Sequence, residues 1–360
     1  MFLAKILNTM KKDTVILIPS YEPDGELVPL VNKLLDLDFP IIVINDGSSE
    51  KYDEIFNQIK DRVVYLKHPR NKGKGAALKH GFSYLTFDNL DCKFVITCDG
   101  DGQHAIEDIV KVDEKLHKCN EIVFGCRLFG KDTPRHSKTG NNMSRFSRTL
   151  LTKEYIQDDQ CGLRGFPLRY LDDLISTPGG RYEYEMNIVC QLQQKRIPIY
   201  EIPIQTIYLN GNKGTHFNRG GDTFRIQRSI WFNAIYSLVN FLFTMCLFII
   251  CYYLPIAKPE FWTEFNTMWV ALISSFLFQI ALTSILIPTK KMGKRLFVEG
   301  MFTLVRGTFV IAWAMLFIYI LELNPIVTFF ISIFLATFTN YFFAKTIHAF
   351  RWKKILKEYK

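Results

Sequence analysis

The chain has 360 residues, 48% of them hydrophobic, and a formal net charge of +9. Its eight cysteines form no CxxC pair and no zinc-type spacing with histidine, which argues against a disulfide framework or a zinc module. The positive charge and the apolar runs of the second half favour anionic lipids and phosphorylated substrates as partners, and argue against nucleic acid. The first twelve residues lack the apolar core and cleavage site of a signal peptide, so we expect the domain that follows to face the cytoplasm.

The first half of the chain alternates short apolar runs with segments of helical spacing. Buried strands are predicted at residues 14–19, 40–45, 63–66, 94–98 and 121–125. Helical spacing follows at residues 27–37 and 75–84. The alternation predicts an α/β domain over residues 1–212, with a Rossmann-like, mostly parallel sheet. Ligands of such sheets bind beyond the carboxyl ends of the strands, so the residues there are the candidates for function.

Acidic residues follow the second and fourth predicted strands. Asp99 and Asp101 come directly after the fourth, and carboxylates two residues apart at a strand end can point into one crevice. Hard oxygen ligands of this kind suit Mg²⁺ or Mn²⁺ bound together with substrate phosphates. An isolated DxD is often a solvated turn, and the preceding strand and the following Gln103 are what favour the metal interpretation. Asp46, after the second strand, is either a contact for a base or ribose or part of an ordinary Asp-Gly-Ser turn.

A third motif, NKGKGAA at residues 71–77, precedes a helical pattern and contains Lys74. Small residues and lysines at the start of a helix suit a phosphate group. The spacing is neither that of a Walker loop nor GxGxxG. Lys74 is therefore a candidate contact for a phosphorylated ligand.

Five motifs in register resemble the family-2 glycosyltransferases with the GT-A fold: IPSYEPD, NDGSS, NKGKGAALKHGF, CDGDGQH and QDDQCGLRGF. Within that family they look most like the branch of dolichol-phosphate mannosyltransferase and the bacterial polyprenyl-phosphate glycosyltransferases. The resemblance covers roughly residues 12–230. It implies a metal-dependent enzyme that transfers a hexose from a nucleotide-sugar, UDP-hexose being favoured over GDP-mannose, to polyprenyl phosphate.

The resemblance also implies roles for residues on the donor side. Asp99 and Asp101 match the metal-binding pair of the family, and Gln103 matches its usual third contact. The positions that match nucleoside contacts are Pro19, Tyr21, Glu22 and Asp46.

On the acceptor side, Arg127 matches the arginine that faces the acceptor phosphate, and Asp158 the carboxylate beside it. Arg145 stands where the branch has a second arginine. Arg135 and Arg148 remain alternatives to Arg145, and Glu183 and Glu185 are alternatives to Asp158. A phosphate monoester with a second pKa of about 6 is already a nucleophile, so arginines that position it matter more than a base. A single displacement at the anomeric carbon predicts inversion.

Four apolar segments follow, at residues 231–254, 267–288, 302–321 and 325–344, each long enough to span a bilayer that needs about 20 residues. They resemble a GtrA-like, all-α, four-helix transmembrane domain, residues 231–346. A basic amphipathic segment at 213–230 is predicted to lie on the headgroups, and residues 347–360 form a basic tail. Lysine and arginine cluster after the second and fourth segments, which predicts a protein of the cell membrane with both termini in the cytoplasm.

Two other functions compete with this interpretation. A processive polysaccharide synthase of the same fold typically carries QxxRW after the acceptor site, and the chain has no such motif. A transport or scaffold protein without activity would not need the acidic pair and the arginines. The sequence leaves a homo-oligomer open.

Overall fold

The computed structural model describes residues 12–87, 92–128, 135–205, 207, 221, 235–253, 264–286 and 292–359. Its first part is built on one sheet. The strands are β1 (Thr14–Ser20), β2 (Ile41–Asn45), β3 (Val64–Lys67), β4 (Phe94–Thr97), β5 (Ile122–Arg127), β6 (Arg164–Pro167) and β7 (Ile199–Ile204). They lie in the order β3-β2-β1-β4-β6-β5-β7.

The sheet is parallel except for β6. β1 pairs with β2 and β4, β2 with β3, and β5 with β7, all in parallel, whereas β6 lies antiparallel between β4 and β5. The five strands predicted from sequence are confirmed within one or two residues at each end, and β6 and β7 were missed. The predicted α/β domain with a mostly parallel sheet is therefore correct.

Helices cover both faces of the sheet. They are α1 (Leu27–Leu35), α2 (Asp53–Asn57), α3 (Lys74–Phe87), α4 (Ile106–Cys119), α5 (Arg135–Thr152), α6 (Leu171–Ser176) and α7 (Glu183–Gln194). Alternate residues of β1 enter opposite cores: Val15 and Leu17 pack on one face, and Ile16 and Ile18 on the other. Burial on both faces explains why the parallel strands read as unbroken apolar runs. Each such side chain contributes about 1.5–3 kcal/mol.

The carboxyl ends of β1, β2 and β4 meet at one edge of the sheet. Ser20 at the end of β1 is paired with Asn45 at the end of β2. From β1 the chain continues to β2 on one side, while β4 joins β1 from the other, so the strand order switches here. A crevice opens at such a switch point, and it positions the loops that follow these three strands.

Within the described residues, four helices make up the second part. They are α8 (Ile235–Tyr253), α9 (Glu264–Leu286), α10 (Met292–Met315) and α11 (Pro325–Glu358). Leu296–Ile318 and Pro325–Glu358 are long and apolar enough to cross a membrane, whereas the described apolar stretches Val239–Cys251 and Asn266–Ala281 are shorter. The described residues thus support two of the four predicted spans by length and composition. The predicted interfacial segment 213–230 lies outside the described residues, apart from residue 221.

The last helix is longer than a span requires. α11 has 34 residues, about 50 Å at a rise of 1.5 Å per residue, whereas a bilayer core needs about 20 residues. The segment predicted as a separate basic tail, 347–360, continues this helix as far as Glu358. Its end packs on the first domain, where Lys115 lies 3.4 Å from Glu358 and Tyr359 joins one of the sheet cores. α11 therefore connects the two parts of the molecule.

Candidate active site

A cleft of about 750 Å³ opens at the carboxyl ends of β1, β2 and β4. All but one of the residues predicted on the donor side line this cleft, the exception being Gln103. The lining residues are Pro19, Tyr21, Glu22, Asp46, Lys74, Asp99 and Asp101. Gln103 lies next to the cleft, where its backbone N–H donates to Oδ1 of Asp101 over 3.1 Å. The motifs converge because each of them follows a strand that ends at the same edge.

Asp99 is held by a lysine. Nζ of Lys74, the first residue of α3, lies 2.7 Å from Oδ1 of Asp99 and 2.9 Å from Oε2 of Glu185. Burial opposes the charge on each group, but the lysine lowers the pKa of Asp99, and the two carboxylates raise the pKa of Lys74. Asp99 and Lys74 therefore both stay charged at neutral pH, and the ammonium group lies between the carboxylates of Asp99 and Glu185.

Asp101 lies in a different electrostatic environment. Burial and the nearby charge of Asp99 raise its pKa. A divalent cation beside both carboxylates would relieve this repulsion. His104 adds a buried imidazole whose Nε2 lies 3.7 Å from Oδ2 of Asp99, and neither of its ring nitrogens has a hydrogen-bond partner among the described residues.

The acidic pair fits an ion of the magnesium type. The described residues contain no cluster of three or more His, Cys, Asp or Glu side chains that could enclose a metal by themselves. Mg²⁺ is usually held by one or two carboxylates together with substrate phosphates and water, which is the donor set that Asp99 and Asp101 offer at an open cleft.

Asp46 supports the loop at the start of α3. Its Oδ2 accepts a hydrogen bond from the backbone N–H of Gly73 (2.7 Å), and its Oδ1 accepts one from that of Lys72 (3.0 Å). Nδ1 of His68 lies 2.7 Å from the same Oδ1. Gly73 has φ +99°, and a Cβ there would lie 2.6 Å from the carbonyl oxygen of Gly180. Asp46 thus fixes the loop that presents Lys74, while its contact with a nucleoside stays a prediction.

Arg127 and Asp158 form a two-point ion pair beyond the cleft. Nε of Arg127 donates to Oδ2 of Asp158 (2.7 Å) and Nη2 to Oδ1 (3.1 Å), while the backbone N–H of Arg127 also reaches Oδ2. Asp158 is fully buried, and burial alone would raise its pKa, but Arg127 lowers it. The Arg127 side chain is 27% exposed, so part of it is accessible to an anion while it holds the carboxylate.

The three candidates for a second arginine lie in different surroundings. Arg148 is fully buried and donates hydrogen bonds to Asp159 (3.0 Å) and Gln193 (2.6 Å), so its contacts stabilise the interior of the domain. Nη1 of Arg145 donates to the hydroxyl of Tyr155 (2.9 Å), and its buried Nε has no hydrogen-bond partner among the described residues. The side chain of Arg135 lies outside what the structure describes. Of the two whose side chains the structure describes, Arg145 is thus the one with capacity for a further ligand.

One loop joins the two groups of charges. It begins at Asp158, which binds Arg127, and continues to Gly162, whose carbonyl accepts a hydrogen bond from Oγ1 of Thr97 (2.9 Å). A Cβ at Gly162 would lie 2.5 Å from Oδ2 of Asp99, so a larger residue here would displace the Asp99 carboxylate. The acceptor-side carboxylate and the metal-binding candidate are therefore connected by four residues of chain.

Some residues at these sites were not predicted. Arg181 and Tyr182 line the cleft, after a Gly-Gly turn whose carbonyl at Gly180 accepts from the backbone of Ala76. Their signal was the run GGRYEYE, which we interpreted only through its two glutamates. One of these, Glu185, was an alternative to Asp158, and the structure places it at Lys74 instead.

Comparisons with known proteins fit this arrangement. Residues 15–175 match the family described as "Glycosyl transferase family 2". The chain is 30% identical over 217 residues to a UDP-N-acetylglucosamine–dolichyl-phosphate N-acetylglucosaminyltransferase of Methanococcus voltae, covering 54% of this chain and 85% of the relative. It is 26% identical over 208 residues to a polyprenol monophosphomannose synthase of Mycolicibacterium smegmatis, covering 53% and 76%.

A solved structure of glucosyl-3-phosphoglycerate synthase from Mycobacterium tuberculosis, with Mn²⁺, UDP-glucose and phosphoglyceric acid, superposes with a TM-score of 0.46 at 13% identity. The superposition covers 64% of this chain and 82% of that chain. The match over residues 15–175 takes in the predicted residues of the cleft, Arg127 and Asp158, whereas Arg181 and Tyr182 of the cleft lie beyond it. This family match and the 30% identity to the N-acetylglucosaminyltransferase, 85% of whose length the chain covers, together show that the protein belongs to glycosyl transferase family 2.

Proposed function

We propose that the protein transfers a sugar from a nucleotide-sugar to a polyprenyl phosphate at the surface of a membrane. The observation that carries the proposal is the short loop from Asp158 to Gly162. One of its ends binds an arginine that is partly open to solvent, and the other packs on the carboxylate at the wall of the cleft. A donor diphosphate at Asp99 and an anionic acceptor at Arg127 would thus lie on either side of one loop. The two relatives named above act on lipid phosphates, which supports the same acceptor class.

The donor would bind in the cleft at the switch point of the sheet. Asp99 and Asp101 would hold Mg²⁺ or Mn²⁺, which when bound neutralises charge on the diphosphate. Lys74 lies at the start of α3 and faces the same carboxylate, so it can contact a phosphate oxygen when a donor enters. Tyr21, Glu22 and Asp46 line the part of the cleft beside β1 and β2, where the nucleoside would lie. We propose a UDP-linked hexose as the donor, with GDP-mannose as its competitor.

The acceptor phosphate would be held by Arg127 and Arg145. An oxygen of the phosphate monoester attacks the anomeric carbon, a new C–O bond forms there, and the bond to the nucleoside diphosphate breaks. The monoester has a second pKa of about 6 and is largely dianionic at neutral pH, so no side chain has to remove a proton. Asp158 then holds Arg127 in place instead of acting as a base. A single displacement inverts the configuration at the anomeric carbon.

The four C-terminal helices would keep the enzyme beside its lipid substrate. We propose that all four cross the cell membrane as a GtrA-like domain, with the sugar-binding domain and both termini in the cytoplasm. Two of them are supported as spans by length and composition. Single cysteines introduced at Lys258 and Lys353, in a variant whose eight native cysteines are replaced by serine, test the topology. A membrane-impermeant maleimide should label the first from outside intact cells and the second only after permeabilisation; the reverse pattern would contradict it.

The function is tested with the purified full-length protein in lipid nanodiscs that contain undecaprenyl phosphate. Labelled UDP-glucose, UDP-N-acetylglucosamine and GDP-mannose are supplied separately with Mg²⁺ or Mn²⁺, and label in the organic phase is counted. We expect a UDP-sugar to give the lipid product, and NMR of that product to show a β-linkage from an α-linked donor. Label that enters only a polymer would favour the processive synthase instead.

A further inference from the structure

We infer that His348 on α11 is a positioning residue that couples this helix to the acceptor-side arginines of the first domain. The inference rests on the proposed function, because it concerns how the lipid phosphate is held. His348 is 6% exposed and lies beyond residues 325–344, the segment predicted from sequence to span the membrane. It therefore belongs to the part of α11 that packs on the sugar-binding domain.

The first contact of His348 is with a buried carboxylate. Its Nε2 lies 2.5 Å from Oε2 of Glu201 on β7, and both side chains are 7% exposed. The other oxygen of Glu201, Oε1, accepts from the backbone N–H of Gln157 (2.6 Å) and from Sγ of Cys126 (3.1 Å). Glu201 thus receives donors from three separate segments of chain, of which α11 is one.

The two other donors lie directly before the acceptor-side ion pair. Cys126 precedes Arg127 on β5, and Gln157 precedes Asp158 at the start of the connecting loop. Hydrogen bonds in a buried polar network hold their groups in one geometry, so Glu201 fixes the chain next to both members of the pair. Its own orientation depends on His348.

The second contact of His348 is with the support of Arg145. The centroids of the His348 and Tyr155 rings lie 4.8 Å apart, and the Tyr155 hydroxyl accepts the hydrogen bond from Arg145. Tyr155 also contacts Tyr341, seven residues earlier on α11, with ring centroids 6.2 Å apart. One histidine therefore contacts the supports of both arginines, through a carboxylate for one and through an aromatic ring for the other.

This arrangement makes the position of α11 a determinant of acceptor binding. A shift of the helix that moved His348 would disturb Glu201 and Tyr155 together, while the cleft of Asp99 and Lys74 lies on other elements. Positioning errors of about 1 Å can reduce rates by about a hundredfold. We expect acceptor affinity to depend on His348 and donor affinity not to.

The test compares three variants of the full-length protein in nanodiscs, measuring KM for undecaprenyl phosphate, KM for the nucleotide-sugar and kcat. His348→Ala should raise the acceptor KM about tenfold and leave the donor KM within about twofold. His348→Gln, whose amide can still donate to Glu201, should recover a large part of the acceptor affinity. The control is Glu358→Gln, which removes an ion pair to Lys115 across the same interface but away from Glu201; its kinetics should match the wild type.

Each outcome decides the inference. An acceptor-specific defect in His348→Ala that is partly rescued in His348→Gln supports it. An unchanged acceptor KM, equal losses for donor and acceptor, or the same defect in Glu358→Gln would overturn it. A wild-type protein that transfers no sugar to undecaprenyl phosphate would instead overturn the proposed function and this inference with it, so the two failures are distinguished by the wild-type assay.

Discussion

Asp99 and Asp101 are two residues apart and differ in how their charges are balanced. Lys74 neutralises Asp99, whereas burial and Asp99 itself raise the pKa of Asp101. Asp101 has no such ion pair among the described residues, and a bound divalent ion would supply the opposite charge. The charge of Asp101 therefore links the cleft to the proposed metal requirement.

We predict that Asp101→Asn reduces sugar transfer by at least about a thousandfold, because loss of electrostatic stabilisation at the leaving group has effects of this size. Thermal stability and membrane insertion should be unchanged or slightly improved, since the substitution removes a repulsion. Transfer is measured in nanodiscs, and melting by fluorescence. Asp36→Asn, at an exposed aspartate after α1, is the matched control. Full activity in Asp101→Asn would remove the metal hypothesis.

Arg127 and Arg148 each form an ion pair, but the Arg127 side chain is partly exposed whereas that of Arg148 is fully buried. Arg127→Ala should raise the KM for the lipid phosphate at least about tenfold, with a smaller effect on the donor, because a charged hydrogen bond contributes about 1.5–3 kcal/mol. Arg148→Ala should destabilise the fold by about 3–5 kcal/mol, since it leaves Asp159 buried without its charge partner. Kinetics and melting of both variants check the contrast. A stable Arg148→Ala with an acceptor-specific defect would reverse the assignment.

The pair of Arg127 and Asp158 also predicts a pH dependence of stability. Burial acts against the carboxylate, but Arg127 and backbone hydrogen bonds lower the pKa of Asp158 below the ordinary value of about 3.9. Its contribution to stability is therefore fully present above about pH 5 and is lost as the pH falls through the lowered value in the folded state. The gap in melting temperature between the wild type and Asp158→Asn should narrow between pH 6 and pH 3. A constant gap would contradict this.

At the scale of elements, the five strands with unbroken apolar runs were predicted from the sequence, whereas β6 and β7 were missed. β6, with the sequence RGFP, begins at Arg164, which is 2% exposed. Its guanidinium donates to the backbone carbonyls of Cys161, Asp159 and Glu185, so a charged residue occupies a core position through tertiary contacts that no local pattern reveals. β7 carries the buried Glu201 for a similar reason, because His348 binds it from a distant helix.

The candidate site shows the same difference between residues with a local sequence signal and residues placed by tertiary contacts. That the donor-side residues would share one cleft was predictable because they follow strands whose carboxyl ends meet, so their positions in sequence fix their positions in space. The residues that support Arg127 and Arg145, namely Glu201, Tyr155 and His348, come from elements far apart in the chain. A lone histidine near the basic end of an apolar helix carries no local signal of such a role.

A second polar contact joins the elements of the two domains. Glu299 of α10 binds Lys153, at the end of α5, and also Nη2 of Arg196 (2.8 Å). Gln279 of α9 donates to the same glutamate over 3.2 Å. The group connects two helices of the membrane part with the loops of the first domain.

Glu299→Ala should destabilise the protein by about 3 kcal/mol or more, because two buried cations lose their shared carboxylate. The melting temperature in detergent checks this, and Glu322→Ala, at an exposed glutamate between α10 and α11, is the control. Glu299→Gln should lie between the two, since the amide oxygen still accepts a hydrogen bond. Equal melting of Glu299→Ala and the control would show that the contact contributes nothing to stability.

At the scale of the whole molecule, three features lie next to one another in space: the cleft, the pair of arginines and the apolar helices. The cleft lies at the sheet edge, the arginines lie across one loop from it, and α11 packs beside them. The proposed transfer to a lipid phosphate would need this order, because the phosphate would have to reach the sugar while its tail remains among the apolar helices.

The most direct measurement is transfer of labelled sugar from its nucleotide to the lipid phase, with and without undecaprenyl phosphate, by the wild type and by Asp101→Asn in the same nanodiscs. The account predicts lipid-extractable label only when the wild type, undecaprenyl phosphate and a divalent cation are all present. Label that reaches the organic phase without undecaprenyl phosphate, or equally well in Asp101→Asn, would contradict it.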